Sequence, residues 1–422
     1  MSMSLPQRAG VVVVGGGIFG CATALHLLGR GVKDVLVLER DGLAQATSHA
    51  GAGFVGRWGG GYVPAWGAQE LALEAYGLEF YRSLAEDHGL EFGYKRNGSL
   101  WAATTPVTWD THLDVIATHP GVEHKVTLSA AEVEEITGGV ILASGVVGGV
   151  LHPDGCQVQA PRATAAIARL VEAAGGQIRT RTPVTGLTVA SGRIQGVETA
   201  EGTVAAGTVV LAAGAWTNGL LRPLGAWMPM VPLTATRIIT EPLGVPPTMP
   251  TLMLPEFSGL WIREEEGGLL YGAAYDVDPR RLFVDADPPE RFDHLPLDGF
   301  AATERLGAEV ASVIPLLSQY RSRRVAQGAP TYTPDLRGIV CGVRGTDGLW
   351  VIGGDNEAGI THGPGYARLL ADLVLEGGTS EFVHPGAFSD ERFGERYSSP
   401  AAVGEWVAQP LLRPDHDAPV SL

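Results

Sequence analysis

The chain has 422 residues, 45% hydrophobic and 18% charged, so it can bury a large core and is not a disordered protein. Its formal net charge of -16 is spread along the sequence, which argues against nucleic acid or an anionic membrane surface as a partner. Three widely separated cysteines form no CxxC pair, so we expect no disulfide framework, no zinc site and a reducing, cytoplasmic location.

The first forty residues predict one βαβ unit. Val11–Val14 is an apolar run of β-branched residues, which predicts a buried parallel strand. Residues 18–28 have the apolar pattern of a helix closed by glycines, and Val35–Leu38 predicts a second strand. No segment holds the roughly 18 uninterrupted apolar residues of a membrane span, and the N-terminus is too short and polar for a secretory signal.

A glycine fingerprint connects the first strand to the helix. Gly15-x-Gly17-x-x-Gly20 lies at that turn, and Glu39 ends the next strand, which is the full context of a dinucleotide site. The glycines let the backbone approach a pyrophosphate, and the carboxylate accepts hydrogen bonds from ribose hydroxyls. An acid at this position disfavours a 2′-phosphate but does not separate NAD from FAD. The alternative is a purely structural glycine turn.

Later segments continue the α/β pattern. We predict a helix over residues 162–174, a strand over 177–181 and a β-meander over 183–214 that ends in the strand 208–212. Proline and glycine are dense over 223–255, which indicates a crossover into a second lobe. The remaining predicted elements are a hairpin over 260–275, a strand over 349–352, a glycine turn at 353–354 and a helix over 365–375.

Three stretches resemble the flavin contacts of the D-amino acid oxidase (DAO) superfamily of FAD enzymes. They are VVLAAGAWTNGLL at 209–221, YTPDLRGIVCG at 332–342 and GGDNEAGITHGPG at 353–365, and FSDERF at 388–393 is similar to the superfamily's usual ending. The resemblance runs from residue 11 to about residue 393. It implies an α/β fold with a Rossmann-like FAD-binding domain of the glutathione-reductase/DAO type and a second, α+β substrate domain on an antiparallel sheet. We assign residues 1–95, 150–225 and 325–422 to the first and 96–149 and 226–324 to the second.

Within the superfamily, the sequence most resembles the dimethylglycine and sarcosine dehydrogenase and oxidase group. The loop TSHAGAG at 47–53 is similar to a loop of that group whose histidine is joined covalently to the flavin 8α-methyl carbon, and the matching residue is His49. A neutral imidazole is a nucleophile near pH 7, so the link is chemically reasonable. The alternative is that His49 only forms a hydrogen bond in its loop.

The resemblance also implies a set of FAD contacts from several segments along the chain. Backbone N–H groups of the late GITHG turn are expected to face the flavin ring, where negative charge gathers on reduction. No metal ligands are implied. The candidate cofactor contacts are Gly15, Gly17, Ile18, Phe19, Gly20, Glu39, Arg40, Ala46, Thr47, Ser48, His49, Gly51, Gly53, Val184, Ala213, Gly214, Trp216, Gly354, Gly359, Ile360, Thr361 and His362.

The implied chemistry is removal of a hydride equivalent from a carbon next to an amine nitrogen, which gives an imine or iminium that hydrolyses. Arginine can hold a carboxylate and an aromatic wall can hold an amine, so the candidate catalytic residues are Arg263, Trp261, Tyr271, Arg57 and His362. The alternative is that the arginines are solvated or pair with acids such as Glu264, and that His362 packs. The strand VPLTATRIITEP carries Ala235 and Arg237 where dimethylglycine enzymes carry His and Tyr, which speaks against dimethylglycine as substrate.

We therefore predict an FAD-dependent oxidase or dehydrogenase that acts on a secondary or tertiary amine or an N-alkyl amino acid. A biosynthetic tailoring enzyme is one role that fits this chemistry. The alternatives are a D-amino acid or 2-hydroxy acid enzyme on the same scaffold and a non-catalytic FAD-binding protein. O2 or another acceptor would receive the electrons. The chain ends soon after the flavin core, so no folate partner is expected. Substrate identity, acceptor and oligomeric state stay open.

Overall fold

A computed structural model describes residues 4–273, 282–284, 286–291, 297, 299–354 and 356–407. The end of the predicted hairpin at 274–275, residue 355 of the late turn, and residues 408–422 of the predicted FAD-binding domain lie outside these residues. The helices are α1 Ile18–Gly29, α2 Ala68–Glu86, α3 Pro106–Thr108, α4 Asp114–Thr118, α5 Ala130–Ile136, α6 Ala160–Ala173, α7 Thr217–Leu221, α8 Phe300–Glu309, α9 Gly359–Leu375 and α10 Pro400–Val407.

The strands are short and form two large sheets and several small ones. In chain order they are β1 Val11–Val14, β2 Val35–Leu38, β3 Phe54–Val55, β4 Ser99–Ala103, β5 Val126–Ser129, β6 Gly148–His152, β7 Cys156–Gln157, β8 Gln177–Arg179, β9 Val184–Ala190, β10 Arg193–Thr199, β11 Gly202–Ala205, β12 Val209–Leu211, β13 Val231–Pro232, β14 Ala235–Thr240, β15 Thr251–Leu254, β16 Leu260–Glu265, β17 Gly268–Ala273, β18 Ser322–Gly328, β19 Thr331–Tyr332, β20 Ile339–Gly342 and β21 Leu349–Gly353.

The first large sheet has the strand order β20-β21-β12-β1-β2-β8 and is parallel except for β20. Val11 and Val13 pack against α1, α6 and α9, whereas Val12 and Val14 pack against the meander β9–β11. Every residue of β1 is therefore buried, because successive side chains point to opposite faces and both faces are covered. The predicted Rossmann-like layer is confirmed.

The second large sheet has the order β18-β14-β17-β16-β15-β4-β6-β5 and is antiparallel except where β15 meets β4. One face packs on α5 and α8 through residues such as Leu260 and Ile262. The opposite face carries Trp101, Met253 and Trp261. The predicted antiparallel sheet is confirmed, and the predicted domain boundaries at 149/150 and 324/325 fall inside its strands β6 and β18.

Most predicted elements agree with the structure to within two residues, but the late helix begins six residues earlier than predicted. α9 starts at Gly359 and contains Pro364, so the GITHG segment is its first turn and not a glycine turn. A proline inside a helix leaves the carbonyl four residues earlier without its N–H donor. Here that carbonyl belongs to Ile360, and the Tyr81 hydroxyl donates to it at 2.9 Å.

Candidate active site

A single continuous cavity of about 1160 Å³ opens between the first sheet and the Trp101 face of the second sheet. Its volume exceeds the roughly 300–1000 Å³ of usual small-molecule pockets, so it has room for a large cofactor and a second ligand. Its lining includes the glycine turn after β1, the loop 46–54, the start of α9 and strands β14 and β16. Two ends can be distinguished by their side chains.

Gly15 and Gly17 of the glycine fingerprint line one wall of the cavity. Gly15 has a φ of +115°, and a Cβ there would lie 2.3 Å from the Ala212 carbonyl oxygen. A Cβ at Gly20 would lie 1.9 Å from the Gly15 carbonyl oxygen, so Gly20 lets α1 pack on the turn without itself lining the cavity. The open N-terminus of α1 can therefore receive a pyrophosphate.

Glu39 lines the cavity at the end of β2 and organises this turn. One carboxylate oxygen accepts the Gly16 N–H at 2.6 Å, and the other accepts the Asp41 N–H at 2.7 Å. Beyond it, the Arg40 guanidinium lies 4.2 Å from the ring centroid of Trp216, in the arrangement of a cation–π pair. Val184, Ala213 and Gly214 line the same end. We refer to this end as the adenosine end.

The loop of the TSHAGAG sequence follows the cavity closely. Thr47–Ala50 forms a 3-10 turn, in which the Thr47 hydroxyl donates to the Ala329 carbonyl at 2.9 Å and Ser48 Oγ accepts the Ile18 N–H at 3.1 Å. Ala46, Thr47, Ser48, Ala50, Gly51, Ala52 and Gly53 line the cavity. His49 does not: it is exposed to solvent outside the lining, and partial desolvation together with the Arg324 charge lowers its pKa.

The first turn of α9 lines the cavity between its two ends. Gly359, Ile360 and Thr361 face it, and their N–H groups precede the first intrahelical bond, which His362 makes to the Ala358 carbonyl at 2.9 Å. The Thr361 hydroxyl donates to the Phe54 carbonyl at 3.2 Å. Gly354, another predicted contact, lies outside the lining.

Aromatic rings and one ion pair form the other end, which we call the aromatic end. The Phe54 ring centroid lies 5.1 Å from those of both Trp58 and Trp261, and Tyr62 adjoins Trp58 at 6.0 Å. These rings exclude water and offer π-faces to a cation. Trp261 is a predicted substrate contact, and the structure places it in the cavity.

Sequence reasoning treated Arg237 only as a departure from relatives, yet this residue lines the aromatic end. Its side chain is 7% exposed, and Nη2 lies 3.2 Å from Glu357 Oε2. Its guanidinium carbon is 5.3 Å from the Trp261 ring centroid, and its Nε is buried without a hydrogen-bond partner among the described residues. The Tyr332 hydroxyl donates to Glu357 Oε1 at 2.8 Å.

A local signal for this end was present in the sequence. The glycine-rich stretch 56–67 carries Trp58, Tyr62 and Trp66 four residues apart, and all three line the cavity. Such spacing of large rings among glycines indicates a ligand-facing loop. Glu357 and Tyr332 carried no such signal, because they meet Arg237 only through the tertiary fold.

The structure places Arg263, a predicted carboxylate-binding residue, outside the cavity. It is 4% exposed, and its Nη1 pairs with Glu265 Oε2 at 2.7 Å and donates to the Glu264 carbonyl at 2.8 Å. Its Nε donates to the Ala52 carbonyl. All of these contacts are structural, and they connect the β16–β17 hairpin to the cavity loop.

Tyr271 and Arg57 are also directed elsewhere. Tyr271 pairs with Ile262, the residue after Trp261 in β16, so its side chain points to the opposite face of the sheet from Trp261. There it packs on the α8 side, and its hydroxyl contacts Tyr320. Arg57 donates from Nη1 to the Leu71 carbonyl at 2.8 Å and is absent from the cavity lining. Neither side chain reaches the space in which a substrate would bind.

His362 lies behind the cavity wall in a buried cluster. Its Nε2 is 3.3 Å from Glu74 Oε1, its Nδ1 is 3.4 Å from the Tyr366 hydroxyl, and the Trp66 ring meets it edge to face with centroids 4.6 Å apart. Burial lowers the pKa of His362 to about 4 and raises the pKa of Glu74 well above its usual range. These contacts agree with the packing or hydrogen-bonding role that the sequence favours for His362.

The part of the chain that the structure describes contains neither a cluster of metal-binding side chains nor a helix that could span a membrane. Within it, no three or more His, Cys, Asp or Glu side chains are grouped so that they could hold a metal ion. Among the same residues, every helix is too short or too polar to cross a bilayer.

The residues present fit a dinucleotide. The N-termini of α1 and α9 and the Glu39 carboxylate, which can accept hydrogen bonds from a ribose, all border one cavity, and bulkier residues at the glycine turn would close it. Fold and cavity together define a dinucleotide-binding protein whose second sheet borders the same cavity. The family model described as "FAD dependent oxidoreductase" (DAO) matches residues 10–373, and the chain belongs to this family. FAD is therefore its cofactor, and the resemblance inferred from the sequence is confirmed at the family level.

Relatives with different roles match the chain. It is 31% identical over 384 residues, 88% of its length, to the 4-methylaminobutanoate oxidase (formaldehyde-forming) of Paenarthrobacter nicotinovorans. It is 26% identical over 407 residues, 94% of its length, to the mitochondrial pyruvate dehydrogenase phosphatase regulatory subunit of Mus musculus. The chain spans 44% of the length of each of these relatives. The L-amino acid deaminase of Proteus vulgaris, at 21% identity, superposes with a TM-score of 0.78 over 93% of this chain and 99% of that one and shares the fold.

Proposed function

We propose that this protein oxidises the C–N bond of a secondary or tertiary amine or an N-alkyl amino acid to an imine or iminium that hydrolyses. The observation that carries the proposal is the pairing of an arginine with an aromatic wall at one end of a cofactor-sized cavity. A relative named as a formaldehyde-forming oxidase of a methylamino acid supports the same chemistry.

Different residues of the chain would hold different parts of the cofactor along the cavity. The α1 N-terminus with its glycine turn would hold the pyrophosphate, Glu39 the ribose, and Arg40 with Trp216 the adenosine. The N–H groups of Gly359, Ile360 and Thr361 would face the flavin ring. FAD, when bound, supplies the acceptor for a hydride equivalent.

Arg237 would hold a substrate carboxylate in this arrangement. Its guanidinium presents five N–H bonds, of which one is directed to Glu357, and its buried Nε has no acceptor among the residues that the structure describes. A buried, under-coordinated guanidinium favours a carboxylate strongly. The Trp58, Trp261 and Phe54 rings would then exclude water and position the amine carbon.

We also propose the covalent bond between His49 and the flavin 8α carbon. His49 itself lies outside the lining, but the residues on both sides of it line the cavity, so its side chain would have to turn inward to reach the flavin. Its lowered pKa keeps the imidazole neutral near pH 7. Acid precipitation tests this: yellow colour and in-gel flavin fluorescence should stay with the pellet, and His49→Ala should release the flavin. His124→Ala, at an exposed histidine, is the control. Flavin found wholly in the wild-type supernatant would refute the bond.

Anaerobic bleaching of the flavin by a panel of amines tests the activity. N-methyl amino acids should bleach it and yield formaldehyde, and Arg237→Met should raise the KM of carboxylate-bearing substrates. Turnover of D-alanine or a 2-hydroxy acid with inert N-methyl substrates would instead assign the protein to those enzymes. If dithionite bleaches the flavin and no panel member does, the protein is a non-catalytic FAD-binding protein.

A further inference from the structure

We propose that Glu357 accepts a hydrogen bond from the substrate N–H and thereby selects secondary or primary amines over tertiary amines. This inference rests on the proposed function and narrows its substrate class. A neutral secondary amine keeps one N–H at the moment its C–H bond breaks, whereas a neutral tertiary amine has none. A carboxylate fixed beside the amine therefore distinguishes the two.

The backbone of this segment is bent so that Glu357 faces the cavity. Asn356 and Glu357 have φ values of 45° and 64°, so two consecutive non-glycine residues adopt the left-handed conformation. Such strain persists only where the surroundings hold it, and it is common at functional sites. Here the Asn356 N–H donates to the Thr331 carbonyl at 2.9 Å, and its Oδ1 accepts the Thr333 N–H at 2.9 Å.

Charge placement distinguishes Glu357 from the other acids of the cavity. Glu39, Asp287 and Glu290 line the adenosine end, where Glu39 binds backbone N–H groups and Asp287 pairs with Arg222 at 3.0 Å. Among the described lining residues, Glu357 is the carboxylate of the aromatic end. It lies two residues before Gly359, where α9 begins, so it is close to the N–H groups that would face the flavin.

Arg237 and Glu357 together present a positive and a negative group 3.2 Å apart. A substrate that carries a carboxylate and an amine on the same or nearby carbons is complementary to this pair. Its carboxylate would bind Arg237, and its amine N–H would donate to Glu357. Each carboxylate oxygen accepts more than one hydrogen bond, so Glu357 can keep Arg237 and Tyr332 while it binds the substrate. The geometry thus points to an N-monoalkyl amino acid.

The test compares the kcat/KM of an N-methyl amino acid with that of its N,N-dimethyl analogue in the holoenzyme. A hydrogen bond to a charged group corresponds to about a tenfold to hundredfold preference for the N-methyl substrate. Glu357→Ala should bring the ratio near one, while Glu357→Gln, which keeps a carbonyl acceptor, should retain part of it. Glu123→Ala, at a side chain 90% exposed, should leave the ratio unchanged.

Each result separates this inference from the proposed function. Equal use of both amines by the wild type, or a ratio that Glu357→Ala does not move, overturns the role of Glu357 and leaves amine oxidation standing. If neither amine bleaches the flavin, the proposed function itself fails. If Glu357→Ala does not fold, Glu357→Gln decides, because an unchanged ratio with an unchanged KM in that variant contradicts hydrogen bonding to a charged carboxylate.

Discussion

Replacing Arg263 by methionine tests whether this arginine is a structural residue or a substrate contact. In the structure its guanidinium is 4% exposed, pairs with Glu265 at 2.7 Å and donates to the Ala52 and Glu264 carbonyls. Removing the cation leaves a buried carboxylate without its partner and a buried Ala52 carbonyl without its donor. We therefore expect a large loss of stability and little direct effect on amine recognition.

The magnitude follows from the burial of the pair, whose side chains are 5% and 10% exposed. Breaking a buried ion pair from one side costs about 3–5 kcal/mol, which we expect for Arg263→Met. Arg263→Met with Glu265→Met removes the isolated charge as well, so only the Ala52 and Glu264 carbonyls remain without their Arg263 donor, at about 1–3 kcal/mol each. Arg96→Met, in a pair with Asp154 that is 56% and 40% exposed, should cost at most about 1 kcal/mol.

Urea unfolding followed by circular dichroism, at one fixed excess of FAD, gives the loss of unfolding free energy for each of the three variants relative to the wild type. Amine kinetics on the same preparations supply the second measurement. A loss below about 1 kcal/mol for Arg263→Met, together with a raised KM for carboxylate-bearing amines, would refute the structural role. It would also restore Arg263 as the substrate contact that the sequence predicted.

Three further predictions concern other parts of the fold. Gly20→Ala should abolish FAD retention because its Cβ would lie 1.9 Å from the Gly15 carbonyl oxygen, whereas Gly29→Ala, with open space around its Cβ in the same helix, should stabilise by about 0.5–1 kcal/mol in thermal unfolding. Desolvation lowers the pKa of buried His152 from 6.5 to about 4, so the folded protein favours the neutral imidazole. The contribution of this group to the free energy of unfolding is fully present above pH 6.5 and is lost as the pH falls toward about 4. His152→Phe should therefore flatten the fall of the unfolding free energy in that window, by up to about 1.4 kcal/mol per pH unit, and an unchanged slope would contradict this. All three thiols are buried and burial raises the pKa of Cys21 to about 12, so a thiol reagent should label none of them until urea is added.

The parts of the fold that the sequence predicted are those with a local cause. β1 and β2 are buried on both faces, so they appear as continuous apolar runs that need no knowledge of the neighbours. The start of α9 could not be predicted in this way. The helix passes through Pro364 because Tyr81, which lies 279 residues from Ile360 in the chain, donates to the carbonyl that the proline leaves open.

The same distinction applies to the candidate site. The glycine fingerprint and Glu39 lie within 25 residues of one another, and their spacing alone predicted the turn that the structure shows. Arg237 and Arg263 both lie on strands of the second sheet, and no local pattern separates them. The difference arises from partners: Glu265, two residues away, holds Arg263 out of the cavity, whereas Glu357 meets Arg237 across 120 residues.

The segment 356–361 connects the two halves of the proposed chemistry within six residues. Glu357 contacts β14 through Arg237, Thr361 contacts Phe54 of the cavity loop, and the N–H groups between them open toward the cofactor space. α2 fixes this segment from behind, because a Cβ at Gly77 would lie 2.2 Å from the Thr361 carbonyl oxygen. A shift of α9 would therefore move the N–H groups that face the cofactor space and the Glu357 carboxylate together. In the proposed arrangement, this one short piece of backbone would position the substrate relative to the cofactor, and such positioning favours hydride transfer.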